Sequence, residues 1–239
     1  MKFFNKKNSV DNTSMKKGVR LITVADPKSV NTEQFNTIRT NIEFSGVDKQ
    51  YKSLMVTSSV MSEGKSTISA NLAVAFAKQG KRVILVDSDL RRPTMNATFS
   101  ISRPTGITNF LTDSNIKLSD IIYRTSVDNL CIIPSGPIPP NPSELIGSNK
   151  MTKLITTLSE KSDLVIYDAP PVLSVTDAQI ISTKVDGTIL VVKANSTEKS
   201  QVKMSVNLID RVHGHIVGSI LNDVMKSANG YYGYYANND

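Results

Sequence analysis

The sequence predicts an α/β fold in which a doubly wound, mostly parallel sheet forms a single domain with disordered tails. Strand-like apolar runs alternate with segments of helical periodicity along most of the chain, which is typical of parallel strands joined by crossover helices. Two runs, 83–86 and 164–167, are apolar at almost every position, as expected for strands buried on both faces. Each is followed by aspartate, at the sheet edge where open α/β folds bind ligands.

Composition fits a globular protein outside the secretory pathway. The chain has 239 residues, of which 39% are hydrophobic and 21% charged. No apolar run approaches the length of about 20 residues that a membrane-spanning helix needs, and the N-terminus lacks the apolar core of a secretion signal. Cys131 is the single cysteine, which excludes an intramolecular disulfide and a cysteine-rich metal site. We therefore expect a cytoplasmic protein.

The net charge of +7 is concentrated in a basic N-terminal leader, residues 1–28. The first 20 residues carry six basic side chains against Asp11, which leaves the rest of the chain near neutrality. These charges belong to a tail and do not form a face for nucleic acid, so no nucleic acid partner is expected. The leader is either attracted to anionic lipid, by about 1 kcal/mol per basic residue near the surface, or solvated and disordered.

The predicted domain, residues 29–226, begins with an amphipathic helix. Asn31 is a candidate N-cap, and apolar residues at helical spacing predict a helix over 32–44. We place Glu33 and Arg39 on the polar side of this helix.

Residues 58–67 have the pattern of a phosphate-binding loop. An apolar strand at 54–57 precedes them, and a helix at about 66–79 follows. In such a loop backbone N–H groups and the helix N-terminus point at an anion. Lys65 would reach the outer phosphates, and the Ser66 hydroxyl would bind Mg²⁺. The nucleotide-contacting residues are Ser62, Glu63, Gly64, Lys65, Ser66 and Thr67.

The loop departs from the usual pattern at two positions, so an ordinary strand-to-helix turn is the alternative interpretation. Ser59 stands where the pattern has its first glycine, and Ser62 occupies a position that glycine would suit.

The strand at 82–86 ends in two aspartates and an arginine beside the predicted loop. Asp87 is a candidate Mg²⁺ ligand, and Asp89 a candidate general base for an attacking hydroxyl. Arg91 would balance negative charge on a phosphate or a partner. A capped strand end with a surface salt bridge is the alternative.

The later segments continue the alternation. We expect helices at 106–112 and 118–124, a strand at 130–133 and a stiff proline-rich loop at 135–142 that ends at a helix capped by Ser143. Further elements are a helix from Thr176 to about 184, a strand at 187–192, a helix around 202–209 and a last strand at 217–222.

Asp168 ends the strand that begins at Leu164, and it would position Mg²⁺ or its water opposite Ser66. His213 and His215 fall in a turn and are not candidates for catalysis.

The C-terminal tail, residues 227–239, is rich in tyrosine. Four of the seven tyrosines lie within five residues, among glycines that give neither a helical nor a strand period. The tail either stacks on its own domain or exposes its phenols as phosphate acceptors, each gaining about −1.5 to −2 charge on phosphorylation. The candidate acceptors are Tyr231, Tyr232, Tyr234 and Tyr235.

Together these motifs resemble the bacterial tyrosine kinases (BY-kinases), most closely the kinases encoded separately from a membrane activator in Gram-positive capsule systems. The resemblance rests on Gly64-Lys65-Ser66-Thr67, Asp87-x-Asp89-x-Arg91, Asp168-Ala-Pro-Pro and the tyrosine cluster, and it extends to residues 135–146. Glu33 and Arg39 match a Glu-x-x-Arg-x-x-Arg helix used in ring assembly, with Asn36 at the middle position.

The resemblance implies a fold of the P-loop NTPase type and ATP- and Mg²⁺-dependent phosphorylation of tyrosine. The tail of one subunit would enter the active site of a neighbour in a ring-shaped homo-oligomer, and Asn222 would contact adenine. A membrane activator of the polysaccharide co-polymerase type would complete the site and hold the kinase at the inner face of the membrane. A cognate tyrosine phosphatase and control of capsular or extracellular polysaccharide synthesis and export are also implied.

Two other functions stay open at this point. A partition or positioning ATPase of the MinD or ParA type shares the fold, but such proteins carry an extra lysine where this chain has Val60. A weakly catalytic, nucleotide-responsive adaptor of a polysaccharide export complex is the second.

Overall fold

The computed structural model of the chain describes residues 13–46, 50–102 and 104–224. The first 12 residues of the leader and the tyrosines of the C-terminal tail lie outside these ranges.

Within the described ranges, seven strands form one sheet in the order β3-β4-β2-β5-β1-β6-β7. All neighbouring strands are parallel except β3 and β4, which confirms the mostly parallel, doubly wound sheet. The strands are β1 (Ser53–Ser58), β2 (Val83–Asp87), β3 (Tyr123–Arg124), β4 (Leu130–Ile133), β5 (Leu164–Asp168), β6 (Gly187–Lys193) and β7 (Ile216–Asn222).

Helices cover both faces of this sheet. Among the described residues they are α1 (Thr13–Lys17), α2 (Ile22–Ala25), α3 (Val30–Ser45), α4 (Lys65–Ala77), α5 (Met95–Thr98), α6 (Ile107–Thr112), α7 (Pro142–Gly147), α8 (Asn149–Lys161), α9 (Asp177–Ser182) and α10 (Lys199–Arg211). None of these helices combines the length and the apolar character that crossing a bilayer requires.

Alternate residues of the central strands pack in two separate hydrophobic cores, one on each face of the sheet. In β1, Leu54 and Val56 pack in the core that contains α3 and α4, whereas Met55 packs in the core that contains α8 and α10. Side chains of successive strand residues point to opposite faces, so a strand covered on both sides must be apolar throughout. This explains the continuous apolar runs that predicted the sheet.

The N-terminal helix of the predicted domain is slightly longer than expected, because Ser29 caps it. The Ser29 hydroxyl accepts a hydrogen bond from the Thr32 amide at 3.2 Å, so the helix begins at Val30 and not after Asn31. A short hydroxyl side chain at this position satisfies one of the free N–H groups of the first turn.

Several elements differ from the predictions, and the short helices α1, α2 and α5 were not predicted. The expected helix at 118–124 is a single 3-10 turn, Leu118–Asp120, followed by β3, which forms because Tyr123 pairs with Ile132 on β4. Helix α8 was not predicted, although its buried residues recur at helical spacing; they are Met151, Leu154, Ile155 and Leu158.

The described part of the leader packs on the domain, so the expectation of a solvated and disordered segment is wrong for residues 13–28. Gly18 has φ of +72°, and a Cβ there would lie 2.5 Å from the Thr98 Cα. The adjacent Val19 amide donates to the Thr98 hydroxyl at 3.0 Å. The leader therefore approaches the backbone of the last turn of α5 more closely than any side chain at position 18 would allow.

Asn71 ties the leader to α4 through all four of its hydrogen-bonding positions. Its Oδ1 accepts from the Thr23 amide at 3.0 Å and from the Thr23 hydroxyl at 2.9 Å. Its Nδ2 donates to the carbonyls of Arg20 and Thr67, both at 2.9 Å. Because Asn71 is fully buried, the leader groups bonded to it, the Thr23 amide and the Arg20 carbonyl, would lose these hydrogen bonds without it.

We predict that Asn71→Ala lowers the free energy of unfolding by about 1–3 kcal/mol, because it leaves buried backbone groups of the leader without partners. Urea unfolding would measure the change. The matched control is Asn41→Ala on the exposed side of α3, expected to stay within about 0.5 kcal/mol of wild type. Equal effects of the two substitutions would contradict the anchoring role.

Candidate active site

The parallel pairing of β2 and β5 brings the predicted acidic residues to one edge of the sheet. Asp87 and Asp168 are register partners at the carboxyl ends of these strands. Asp89 lies two residues beyond Asp87, and the Lys65 amine lies between the two strand ends. Its Nζ is 2.9 Å from Asp89 Oδ2 and 3.6 Å from Asp168 Oδ2. The structure therefore collects all four groups around the start of α4.

Asp168 is held by two hydroxyl groups of α4. Ser66 Oγ donates to its Oδ2 at 2.6 Å, and Ser69 Oγ donates to its Oδ1 at 3.0 Å. Lys65 Nζ is also within 3.2 Å of Ser66 Oγ. The loop lysine, the loop serine and the strand-end carboxylate thus form one connected polar cluster, in which Asp168 is completely buried.

Asp87 has one oxygen engaged and one oxygen without a partner. Its Oδ2 accepts from the backbone amides of Thr94 and Met95, both at 2.9 Å. Its Oδ1 is buried and meets no hydrogen-bond donor among the described residues. Leaving a carboxylate oxygen in this condition is costly, and it is a hard donor of the kind that Mg²⁺ prefers.

The cluster has more buried acidic groups than basic ones, and the pKa values reflect this imbalance. Burial, and then the Asp168 charge, raise the pKa of Asp87 to about 8. Burial also raises the pKa of Asp168, although the Lys65 charge and the Ser66 hydrogen bond oppose the rise. For Lys65 burial favours a lower pKa, but the charges of Asp168 and Asp89 outweigh it and hold the pKa above its ordinary value.

Two residues of the loop adopt the left-handed backbone conformation that favours glycine. Gly64 has φ of +92° and Ser62 has φ of +66°. A Cβ at position 64 would lie 2.2 Å from Asn222 Nδ2, which donates to the Glu63 carbonyl at 2.9 Å. Asn222, expected at the adenine, thus contacts the loop from the end of β7.

Glu63 braces the loop from inside. It is 2% exposed, its Oε2 accepts from the Val60 amide at 2.9 Å, and its Oε1 accepts from the Thr197 hydroxyl. Thr197 lies in the turn between β6 and α10. The loop is therefore joined to that turn as well as to β7, and its shape depends on residues more than 130 positions away in sequence.

Arg91, expected from the sequence to balance negative charge on a phosphate or a partner, is paired with a buried aspartate. Its guanidinium contacts Asp177 through Nε at 3.0 Å and through Nη2 at 3.2 Å. Nη2 also donates to Ser143 Oγ at 2.9 Å, and that hydroxyl donates to Asp177 Oδ1. Because Asp177 is completely buried, Arg91 neutralises a charge that would otherwise be unpaired.

The two predicted assembly residues lie in different environments. Glu33 is exposed on α3, and its Oε1 accepts from Asn36 Nδ2 at 3.1 Å. Arg39 is only 8% exposed, which corrects its placement on the polar side. It follows Phe35 by four residues and precedes Ile42 by three, so it shares their buried face.

Three polar residues of the site and its surroundings were missed by sequence reasoning. Ser69 had a detectable signal, because it follows Ser66 by three residues on the same helix face. Thr197 and Asp177 had none, since their contacts are with residues far away in sequence.

Comparison with known proteins places the chain in a family. A model for the AAA domain matches residues 62–222. The tyrosine-protein kinase YwqD of Bacillus subtilis is 42% identical over 219 residues, which cover 92% of each protein. The putative tyrosine-protein kinase CapB of Staphylococcus aureus is 38% identical over 89% of this chain and 93% of CapB.

The chain belongs to the bacterial tyrosine kinases.

Solved structures agree with this family assignment. The chimerical protein CapA2B2 aligns with a TM-score of 0.82 and 39% identity over 86% of this chain and 90% of that one. The family also shares its fold with an ATPase of cell division. The septum site-determining protein MinD of Pyrococcus horikoshii, complexed with Mg-ADP, aligns with a TM-score of 0.60 and 27% identity over 71% of this chain and 69% of MinD.

We predict that stability in EDTA falls as pH rises from about 4 to about 8, because folding keeps the Asp87 carboxyl protonated to a higher pH than the unfolded chain does. The contribution of Asp87 to the free energy of unfolding is complete below about pH 4, the pKa of an aspartate in the unfolded chain. It is lost as pH rises through the pKa of Asp87 in the folded protein, about 8. Urea unfolding at several pH values should show a shallower profile for Asp87→Asn.

The exposed Asp128→Asn variant is the control and should keep the wild-type pH profile. Parallel profiles for wild type and Asp87→Asn would show that Asp87 does not carry the dependence.

Proposed function

We propose that the chain is an ATP-dependent protein tyrosine kinase that phosphorylates the tyrosine cluster of another copy and so regulates capsular or extracellular polysaccharide synthesis and export. The observation that carries the proposal is the position of the Lys65 amine, which lies among three buried carboxyl groups beside a loop with the pattern of a phosphate-binding loop. The chain also belongs to a family of tyrosine kinases. Four tyrosines close together at the C-terminus supply acceptors in the same molecule.

The residues present fit a magnesium ion. Ser66, Asp87 and Asp168 offer the oxygen ligands that Mg²⁺ takes, and Asp87 Oδ1 is buried with no donor beside it in the described residues. A bound Mg²⁺ would neutralise charge on the phosphate oxygens during transfer. The Mg-ADP complex of the related MinD fold supports the same assignment.

The loop and α4 would bind the nucleotide phosphates. The N-terminus of α4, a helix of 13 residues, lies directly after the loop and favours an anion. Lys65 is held at the site by Asp89 and Asp168, and on nucleotide binding it would contact the outer phosphates in place of one of these carboxylates. Phosphoryl transfer needs mainly such positioning and charge neutralisation. Asn222 is proposed to contact adenine from its place beside Glu63.

Asp89 is the proposed base for the phenol. A tyrosine hydroxyl has a pKa of about 10 and needs a proton acceptor to become a nucleophile near neutral pH. Asp89 is 3% exposed and fixed in orientation, because Oδ1 accepts from the Arg92 amide at 3.0 Å and Oδ2 faces Lys65. Arg91 would act indirectly, because its ion pair with Asp177 fixes the segment that follows Asp89.

The remaining parts of the proposal concern assembly. The tail would enter a neighbouring subunit within a ring-shaped homo-oligomer, with exposed Glu33 as a contact. Arg39, on the buried side of α3, is proposed to stabilise the helix that carries Glu33. A membrane activator of the polysaccharide co-polymerase type would recruit the cytoplasmic kinase to the membrane, and a cognate phosphatase would reverse the modification.

We predict that Lys65→Met abolishes transfer of the γ-phosphate of labelled ATP to the chain, because the phosphates lose their main cation. Phosphotyrosine detection after incubation with Mg²⁺ and ATP measures this, with the exposed Lys153→Met on α8 as the control. Wild-type labelling of Lys65→Met would refute the assignment of the loop.

A combined Tyr→Phe substitution should remove the label but leave ATP binding intact, since it removes only the acceptors. The positions are Tyr231, Tyr232, Tyr234 and Tyr235. Intact mass of the expressed wild-type chain should show additions of about 80 Da per phosphate. Persistence of the label in the variant would show that other residues are the acceptors.

A further inference from the structure

The proline loop, residues 134–141, follows β4 at the edge of the sheet that carries the catalytic cluster. Strand β4 is parallel to β2, and Ile133 at its end is the register partner of Val86, the residue before Asp87. The carboxyl ends of parallel strands meet at one edge of a sheet, so the loop begins beside the catalytic cluster. It leads to α7, whose first residue is Pro142.

The proline loop is held at both ends. At its start, two of its backbone carbonyls accept hydrogen bonds from the amides of Ile107 and Thr108, both at 2.9 Å. Just beyond its end, Ser143 Oγ lies 2.9 Å from Arg91 Nη2, two residues after the proposed base Asp89. Four of its eight residues are proline, which fixes φ. A loop constrained in this way loses little conformational entropy when it binds a partner.

The proline loop exposes an apolar surface without charge. Ile138 is 58% exposed, and Pro137 and Pro140 on either side of it are exposed as well. Residues 134–141 contain no charged side chain. Proline-rich segments dock against aromatic side chains. The chemistry of this surface therefore suits a peptide that is rich in tyrosine and poor in charge.

We propose that the proline loop is a docking site for the tyrosine-rich tail of a second copy of the chain, an inference that rests on the proposed kinase function. Residues 230–238 of the tail carry four tyrosines and no charged side chain, which matches the uncharged apolar surface of the loop. One tyrosine of the tail would be at the catalytic cluster while another packs against Ile138.

The reach of the tail fits this arrangement. Ile138 is five residues from Ser143, which limits the distance between them to about 17 Å. Tyr231 and Tyr235 are four residues apart, up to about 14 Å in an extended chain. The two distances are of the same order, so a short tail segment spans the catalytic cluster and the loop together.

A second copy supplies the tail more readily than the same molecule does. The described chain ends at Val224, just after β7, and β7 lies five strand spacings from β4 in the sheet. At about 4.8 Å per spacing the separation is about 24 Å. Residues 225–231 cover about this distance when fully extended. Tyr231 of the same molecule would therefore reach the loop only in a completely stretched chain.

A mixing experiment between two full-length chains tests the proposal. The acceptor carries Lys65→Met, so it keeps its tail but does not transfer phosphate, and the donor carries the combined Tyr→Phe substitution in its tail. Phosphotyrosine on the acceptor, measured over a range of acceptor concentrations with Mg²⁺ and ATP, gives the KM for the tail. Ile138→Ser in the donor should raise this KM about five- to tenfold, because an apolar contact is lost. Its affinity for Mg-ADP should not change, and Ile138→Leu should behave as wild type does.

Two controls separate docking from effects on folding or assembly. Met204→Ser in the donor removes a side chain of α10 that is also 58% exposed, and it should leave the KM unchanged. Ile138→Ser placed in the acceptor should have no effect either, because only the loop of the donor would bind the tail.

Three results would overturn the proposal: an unchanged KM for the Ile138→Ser donor, an equal rise with Met204→Ser, or an equal rise with the substitution in the acceptor. If the donor with a wild-type loop does not label the acceptor at all, the proposed kinase function fails, and the docking proposal fails with it.

Discussion

One ammonium group opposes three buried carboxyl groups, and the organisation of the site depends on that imbalance. Lys65 lies within 4 Å of Asp89 and Asp168, while Asp87 keeps one oxygen without a donor among the described residues. Burying unequal charge is unfavourable unless another cation or a proton compensates it. Burial raises the pKa of Asp87 to about 8, so a proton takes that role near neutral pH, and a bound divalent cation would replace it.

The pairing of the strands and the contacts that hold the loop bring these charged groups together. Parallel pairing fixes Asp87 beside Asp168, and α4 supplies Lys65, Ser66 and Ser69 from the opposite side. The loop itself is held by Glu63, which reaches Thr197, and by the Asn222 amide. Strained conformations of this kind persist where the surroundings determine them. Two residues from the C-terminal part of the chain thus shape a loop in its N-terminal part.

The sequence was sufficient to predict which carboxyl groups share one edge of the sheet, because this signal is local. An apolar run that ends in aspartate identifies a buried strand and the carboxyl group at its end together, as for Asp87 and Asp168. Side-chain partners were not accessible in the same way. Arg39 turns inward with Phe35 and Ile42, whose helical spacing it shares, and β3 forms only through pairing with the neighbouring β4. Arg91 pairs with Asp177, which lies in a segment far away in sequence. Packing of the leader was missed for the same reason, since Asn71 gives no sign of its partners.

Calorimetric titration of the chain with ADP, in Mg²⁺ and in EDTA, tests the central claim most directly. If the excess of buried carboxylates forms a magnesium–nucleotide pocket, ADP binds more tightly in Mg²⁺. Asp87→Ala should then lose this gain and keep the affinity measured in EDTA. Equal affinities in Mg²⁺ and EDTA, or a full magnesium gain in Asp87→Ala, would contradict the account.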